Sequence, residues 1–215
     1  MTKYCKGCGA KLQNDDKDAI GYVPTLDASY CERCFRIRHY GDVTISMAQK
    51  IESNQTLDKI AKVKGVIFWV VDLFAFESNM ISRLNQKLDT DEIVLVLTKR
   101  DVLPKTLSDK KILEFVNRRL DEEGIKVKDI VICGYLLKHN EQSKACIDEI
   151  YSKIQTYRKG RDIVFMGVAN AGKSTILNQL LAMEDLTTSR HPGTTLDLVP
   201  IEQEGYTIYD TPGIE

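Results

Sequence analysis

Ile163-Val164-Phe165-Met166 runs without a break into Gly167-Val168-Ala169-Asn170-Ala171-Gly172-Lys173-Ser174, a short apolar strand-like segment followed by the pattern Gly-x-x-x-x-Gly-Lys-Ser. In that pattern the glycines let backbone N–H groups wrap a pyrophosphate at the start of the next helix, where the helix dipole also favours negative charge. Lys173 would bridge the β- and γ-phosphates of a nucleoside triphosphate and Ser174 would ligate Mg²⁺, with Asn170, Ala171 and Thr175 in the same cradle. A chance glycine turn ahead of a helix is the alternative, and the apolar run before Gly167 and the helical pattern after Lys173 argue against it.

The alternation of short apolar runs with helical periods extends upstream. Val66 to Val71, Ile93 to Leu97 and Ile130 to Cys133 are continuous apolar runs, as expected of strands covered on both faces. Between them lie helix-period segments carrying Ile81, Leu84 and Leu88, then Ile112, Val116 and Leu120, then Ile147, Ile150, Tyr151 and Ile154. This alternation predicts an α/β fold with a mostly parallel, P-loop NTPase-like sheet wound with helices on both faces. Leu196 to Glu202 and Tyr206 to Tyr209, around Glu204-Gly205, read as a hairpin. Leu57, Ile60 and Ala61 place an amphipathic connecting helix in residues 46–64, ended by Gly65. Residues 1–45 show no long period but hold four paired cysteines, so the chain divides into a stapled module (1–45), the connector (46–64) and the sheet domain (65–215).

With 215 residues there is room for one full core plus a small appendage, at about 150 residues per domain. Thirty Lys plus Arg against 31 Asp plus Glu leave a net charge of -1, so any RNA contact must come from a local patch. A hydrophobic share of 43% excludes a disordered chain. No apolar run approaches the roughly 18 residues that span a bilayer. The segment from Met1 to Asp16 has no signal-peptide core, so a cytoplasmic protein with no membrane partner is expected. In a reducing compartment the paired cysteines argue for metal, and the two lone ones, Cys133 and Cys146, are expected as small buried thiols.

Three further motifs bear on the phosphate pattern. Asp210-Thr211-Pro212-Gly213 ends a strand-like run, where Asp210 can hold Mg²⁺ through water and the Gly213 N–H can meet a γ-phosphate; standing alone, the pattern is only a turn. Pro192-Gly193-Thr194-Thr195 offers a hydroxyl, Thr195 by preference, to complete the Mg²⁺ shell, or is an ordinary surface turn. Thr98-Lys99-Arg100-Asp101 follows the strand-like run 93–97, at the strand end where α/β sheets bind ligands. There the Asp101 carboxylate can accept both N–H groups on one edge of guanine, and the Lys99 stem can cover the base; a charged loop is the alternative.

The order of these motifs is unusual. The chain resembles the translation-factor-related GTPases, in which the P-loop precedes the switch threonine, Asp-x-x-Gly and the base-reading motif in turn. Here Thr98 to Asp101 comes before Gly167, so the sequence resembles a circularly permuted GTPase, a rearrangement that preserves the sheet when the natural termini lie close together. Cys5-x-x-Cys8 and Cys31-x-x-Cys34 present four thiolates at a separation slightly wider than the commonest zinc-ribbon spacing, suited to structural Zn²⁺, with a redox pair as the alternative. A four-cysteine module with Cys8-Gly9 and Tyr30-Cys31-Glu32-Arg33-Cys34-Phe35 ahead of a permuted GTPase domain resembles the YqeH family of ribosome-assembly GTPases. That resemblance implies GTP and GDP as ligands, a role in maturation of the small ribosomal subunit with rRNA as partner, and a further C-terminal domain beyond Glu215.

Several positions depart from the family pattern. Thr98 stands where Asn is usual, so a hydroxyl must replace the amide that ties the base loop to the P-loop. Cys133-Gly134-Tyr135 replaces the Ser-Ala-Lys-like loop, leaving the Gly134 backbone to meet the guanine oxygen. Ile214 follows Gly213 where many GTPases carry the water-orienting Gln, so Lys173, Thr195 and Asn170 are the catalytic candidates. Asn170 is a K⁺ ligand by resemblance to potassium-activated GTPases, or simply shapes the loop. Arg33, Arg36, Arg38 and His39 offer a small phosphate-binding face for rRNA or a solvated surface. The expectation is a monomeric GTP-hydrolysing switch, with a zinc-binding scaffold of impaired turnover or an ATP-using P-loop enzyme as the competing readings.

Overall fold

The computed structural model describes residues 3–17, 19, 21–40, 53–137, 140–183 and 198–214. Among the described residues six strands form one sheet: β1 (Val66–Asp72), β2 (Ile93–Thr98), β3 (Asp129–Ile132), β4 (Ile163–Met166), β5 (Val199–Gln203) and β6 (Tyr206–Asp210). Their order across the sheet is β3-β2-β1-β4-β6-β5, parallel throughout except for the β5–β6 hairpin at one edge. The helices are α1 (Glu32–Tyr40), α2 (Ser53–Val63), α3 (Phe76–Asn79), α4 (Leu84–Leu88), α5 (Asp109–Glu122), α6 (Glu141–Arg158) and α7 (Lys173–Met183).

Every residue of β1, β2 and β4 is buried, because both faces of these strands are covered. Successive side chains point to opposite faces. Phe68, Val70, Val94 and Val96 therefore pack with Ile147, Ile150 and Ile154 of α6 and Ile176, Leu177 and Leu180 of α7. On the other face Ile67, Trp69, Val71, Leu95 and Leu97 pack with Leu57 and Ile60 of α2 and Ile112, Val116 and Leu120 of α5. Side-chain oxygens cap the two longest helices: Ser108 accepts from the Lys111 N–H at 3.4 Å, and Asn140 from the Ser143 N–H at 3.0 Å.

Two local expectations are corrected. The segment carrying Ile81, Leu84 and Leu88 is helical only over α4, and Ile81 lies in the break between it and the short α3 that precedes it. Asn79, ending α3, turns its side chain to the backbone, accepting from the Asp72 N–H at 3.1 Å and donating to the Ala75 carbonyl at 2.7 Å. Arg83 then takes a left-handed φ of 56°, which a continuous helix would exclude. Cys133 and Cys146 are buried, but as a disulfide with a Cα–Cα separation of 5.5 Å instead of two separate thiols. The docking of α6 on the sheet beyond the end of β3 brings together positions that sequence spacing left unconnected. The connector expected at 46–64 is helical over Ser53–Val63, and its residues 46–52 lie outside the described part.

Candidate functional site

The P-loop leaves the end of β4 between β1 and β6, in the middle of the sheet. Gly167 has φ +153°, and a Cβ on it would lie 2.2 Å from the Val70 carbonyl oxygen, so close strand approach and backbone conformation both require glycine. Asn170 adopts a left-handed φ of 62° at the turn of the loop, and Gly172 has φ +107° as the chain enters α7. Ala171 and Ser174 are buried and Thr175 is partly buried on the first turn of α7. The Lys173 ammonium donates to the carbonyls of Gly167 at 2.7 Å and Val168 at 2.9 Å, which holds it over the loop. Burial pushes its pKa down to about 8, and the nearby Asp210 carboxylate opposes that shift.

Asp210 ends β6 and is fully buried. Three residues on, a Cβ at Gly213 would stand 2.8 Å from both the Ala169 Cα and N, so the Asp-x-x-Gly backbone lies directly against the P-loop. The Ile214 N–H donates to the Gly167 carbonyl at 3.1 Å, and the Ile214 side chain is buried in the core. Thr195 and its neighbours 192–194 lie outside the described residues.

The base-reading loop joins the P-loop through Thr98. Its hydroxyl donates to the Ala171 carbonyl at 2.6 Å and lies 3.3 Å from that of Val71. Asp101 sits exposed in a short 3-10 turn, Arg100–Val102, and its Oδ1 accepts from the Tyr135 N–H at 2.8 Å. Gly134 abuts this turn, since a Cβ there would meet the Asp101 N at 3.1 Å. The loops after β2 and β3 are therefore stitched together, with the Arg100 N–H also donating to the Cys133 carbonyl at 2.9 Å. Lys99 contacts a residue not singled out in the sequence: its ammonium lies 2.5 Å from Oδ2 of Asp72, the last residue of β1 and the register partner of Thr98. The signal for Asp72 was present, a carboxylate ending an all-apolar strand.

At the N-terminus Cys5, Cys8, Cys31 and Cys34 are all buried, and their sulfurs lie within 4.8 Å of one another. Cys5 Sγ accepts from the N–H groups of Gly7 at 3.4 Å and Cys31 at 3.1 Å, the donor pattern that stabilises a thiolate. Hydrogen bonds from its neighbours hold the Cys5 thiol well below the ordinary range, while contact with Cys31 and Cys5 pushes Cys34 up. Four soft donors in one buried cluster fit a closed tetrahedral Zn²⁺ site. The arginines beside it do not form one solvent-facing row. Arg36 pairs with Glu32 at 3.6 Å, whereas Nε and Nη1 of Arg33 are buried without a hydrogen-bond partner among the described residues. The side chains of Arg38 and His39 lie outside the described part.

A family model described as "50S ribosome-binding GTPase" matches residues 162–215. YqeH of Bacillus subtilis is 33% identical over 98% of this chain and 58% of that protein. The chloroplastic/mitochondrial NO-associated protein 1 of Arabidopsis thaliana is 28% identical over 98% of this chain and 43% of that protein. A crystal structure of YjeQ from Thermotoga maritima superposes with a TM-score of 0.41 at 20% identity, covering 69% of this chain and 48% of that one. The chain spans about half the length of these curated relatives. The central P-loop strand, reached only after the base-reading strand, defines a circularly permuted GTPase domain. Along nearly its whole length the chain is similar to YqeH, four-cysteine module included. Among the described residues, no helix is long and apolar enough to cross a membrane.

Proposed function

We propose that this chain binds GTP with Mg²⁺, hydrolyses it to GDP and phosphate, and works as a monomeric switch in assembly of the small ribosomal subunit. The observation that carries the nucleotide reading is the Thr98 hydroxyl bonded to the Ala171 carbonyl at 2.6 Å, which ties the guanine-reading turn to the phosphate loop. Asp101 accepts the guanine N–H pair, the Lys99 stem covers the base, and the Gly134 backbone faces its oxygen. Backbone N–H groups from 167–175 wrap the phosphates while Lys173 neutralises their charge. Ser174, Asp210 and Thr195 would hold Mg²⁺, which would supply neutralisation of the charge that develops on the phosphate oxygens.

In the reaction a water oxygen bonds to the γ-phosphorus as the bond to the β–γ bridging oxygen breaks and GDP leaves. Ile214, the residue after Gly213, is buried and cannot orient that water as a glutamine would, so the role falls to backbone groups of the loop; Asn170 would hold a K⁺ that supplies further positive charge there, and unstimulated turnover is slow. The four cysteines hold structural Zn²⁺, and their module docks on rRNA through Arg36 and its neighbours in a cytoplasmic setting.

The first test is competition of GDP, GTP and ATP against a fluorescent guanine nucleotide, with Asp101→Asn in parallel. Guanine selectivity that collapses in the variant is expected; equal competition by ATP would sink the reading. Co-sedimentation with separated subunits then tests the ribosomal role. Enrichment on the small subunit is expected, and binding only to the large subunit, which the family model's description names, would move the switch to the other particle.

A further inference from the structure

The four-cysteine module packs against the sheet through an unusually close backbone approach. Gly9 follows Cys8, and a Cβ built on it would fall 1.8 Å from Cγ2 and 3.0 Å from Cβ of Val199 at the start of β5. Gly9 has φ +75°, so its conformation and this approach both call for glycine. It is fixed to the metal-site loop, since the Gly9 N–H donates to the Cys5 carbonyl at 2.9 Å and the Cys5 N–H donates to the Ala10 carbonyl at 2.8 Å. Val199 is only 7% exposed although β5 is the edge strand. Its partner across the hairpin register is Asp210.

Cys8-Gly9, Val199 and Asp210 are thus successive neighbours leading from the thiolate cluster to the carboxylate beside Lys173. We propose that the Gly9–Val199 contact is a coupling surface, through which the metal-organised cysteine loop positions Asp210 for the Mg²⁺-bound triphosphate. The proposal rests on the reading of Asp210 as an Mg²⁺ carboxylate given under Proposed function. Its physical basis is that β5 has a strand neighbour on one side only. Gly9 of the cysteine loop instead packs on the Val199 side chain, at the end of β5 opposite Asp210. When the four sulfurs lose their common ligand the loop relaxes, Val199 loses its contact, and the hairpin register that holds Asp210 loosens. Gly9 and Val199 are positioning residues, and by reciprocity of coupling Mg²⁺–GTP tightens the module that holds the other metal.

The test uses the whole chain, with zinc content measured on each variant and fluorescent GTP binding followed across a Mg²⁺ titration. Gly9→Ala drives a methyl into Val199. It is expected to retain stoichiometric zinc, to raise the Mg²⁺ concentration for half-maximal GTP binding about fivefold, and to leave Mg²⁺-free GDP binding unchanged. Adding Val199→Ala to Gly9→Ala removes the 1.8 Å contact and leaves the 3.0 Å one to the residue-199 Cβ, so a partial recovery of the Mg²⁺ response is expected, which a purely local strain at position 9 would not permit. If Gly9→Ala fails to hold zinc, Val199→Ala alone takes its place, with the same Mg²⁺ midpoint expected to rise at full zinc content. A Mg²⁺ midpoint unchanged in the zinc-loaded variants overturns the coupling and leaves the proposed function standing. GTP binding that ignores Mg²⁺ in the unmodified chain overturns the reading of Asp210, and the coupling with it.

Discussion

Thr98 shows how much one hydroxyl carries at this site. It is buried and bridges two loops distant in sequence by donating to the Ala171 carbonyl. Thr98→Val keeps the shape and strands that carbonyl, which is expected to cost about 1–3 kcal/mol of stability in denaturant unfolding; an unchanged midpoint would show that the bond contributes nothing. Lys173 makes a pH prediction. Its pKa is pushed down from 10.5 to about 8, so between those values the unfolded chain binds more protons than the folded one. The penalty for burying its charge is therefore present in full below about pH 8 and is relieved as the pH rises toward 10.5. Phosphate favours the ammonium, so nucleotide binding should take up roughly half a proton at pH 8 and weaken as the pH rises further. Calorimetry in buffers of different ionisation enthalpy reads this directly, and the absence of proton uptake at pH 8 would contradict it.

The central strands are the elements on which every loop of the site depends. β1 is buried along its whole length, and Phe68 stacks on Phe165 of β4 with ring centroids 5.2 Å apart, just below the P-loop. Phe68→Ala is expected to cost about 3–5 kcal/mol in chemical denaturation, because its cavity opens between two fully covered strands. A loss below about 1 kcal/mol would mean that the core collapses freely around the site. The all-apolar strands were legible because burial on both faces leaves no polar alternation to confuse them. The division of residues 76–88 into α3 and α4 was not, because it turns on Asn79 bonding to the end of β1, a contact that no helical period encodes. The Cys133–Cys146 pairing escaped notice for the same reason, being set by where α6 docks.

At the scale of the whole molecule the cysteine module has its own small core, made of the four cysteines with Ala10, Leu12 and Val23, separate from the two cores that flank the sheet. Withdrawing zinc with a chelator should therefore unfold this module, seen as lost hydrogen-exchange protection in residues 3–36, while the sheet keeps its own cooperative transition. Simultaneous loss of both would show that the sheet cannot stand without the module. The sequence by itself determined the phosphate loop, the paired thiols, the Thr98–Asp101 motif and their permuted order, because each is a local pattern that depends on residue type and spacing. Only the tertiary structure decided that Asp72 meets Lys99, that Arg33 turns inward, that Ile214 is buried where other GTPases place glutamine, and that Gly9 rests on Val199 opposite Asp210. These are contacts between segments far apart in the chain, fixed by strand order and close packing, and no local pattern reports which surfaces will meet.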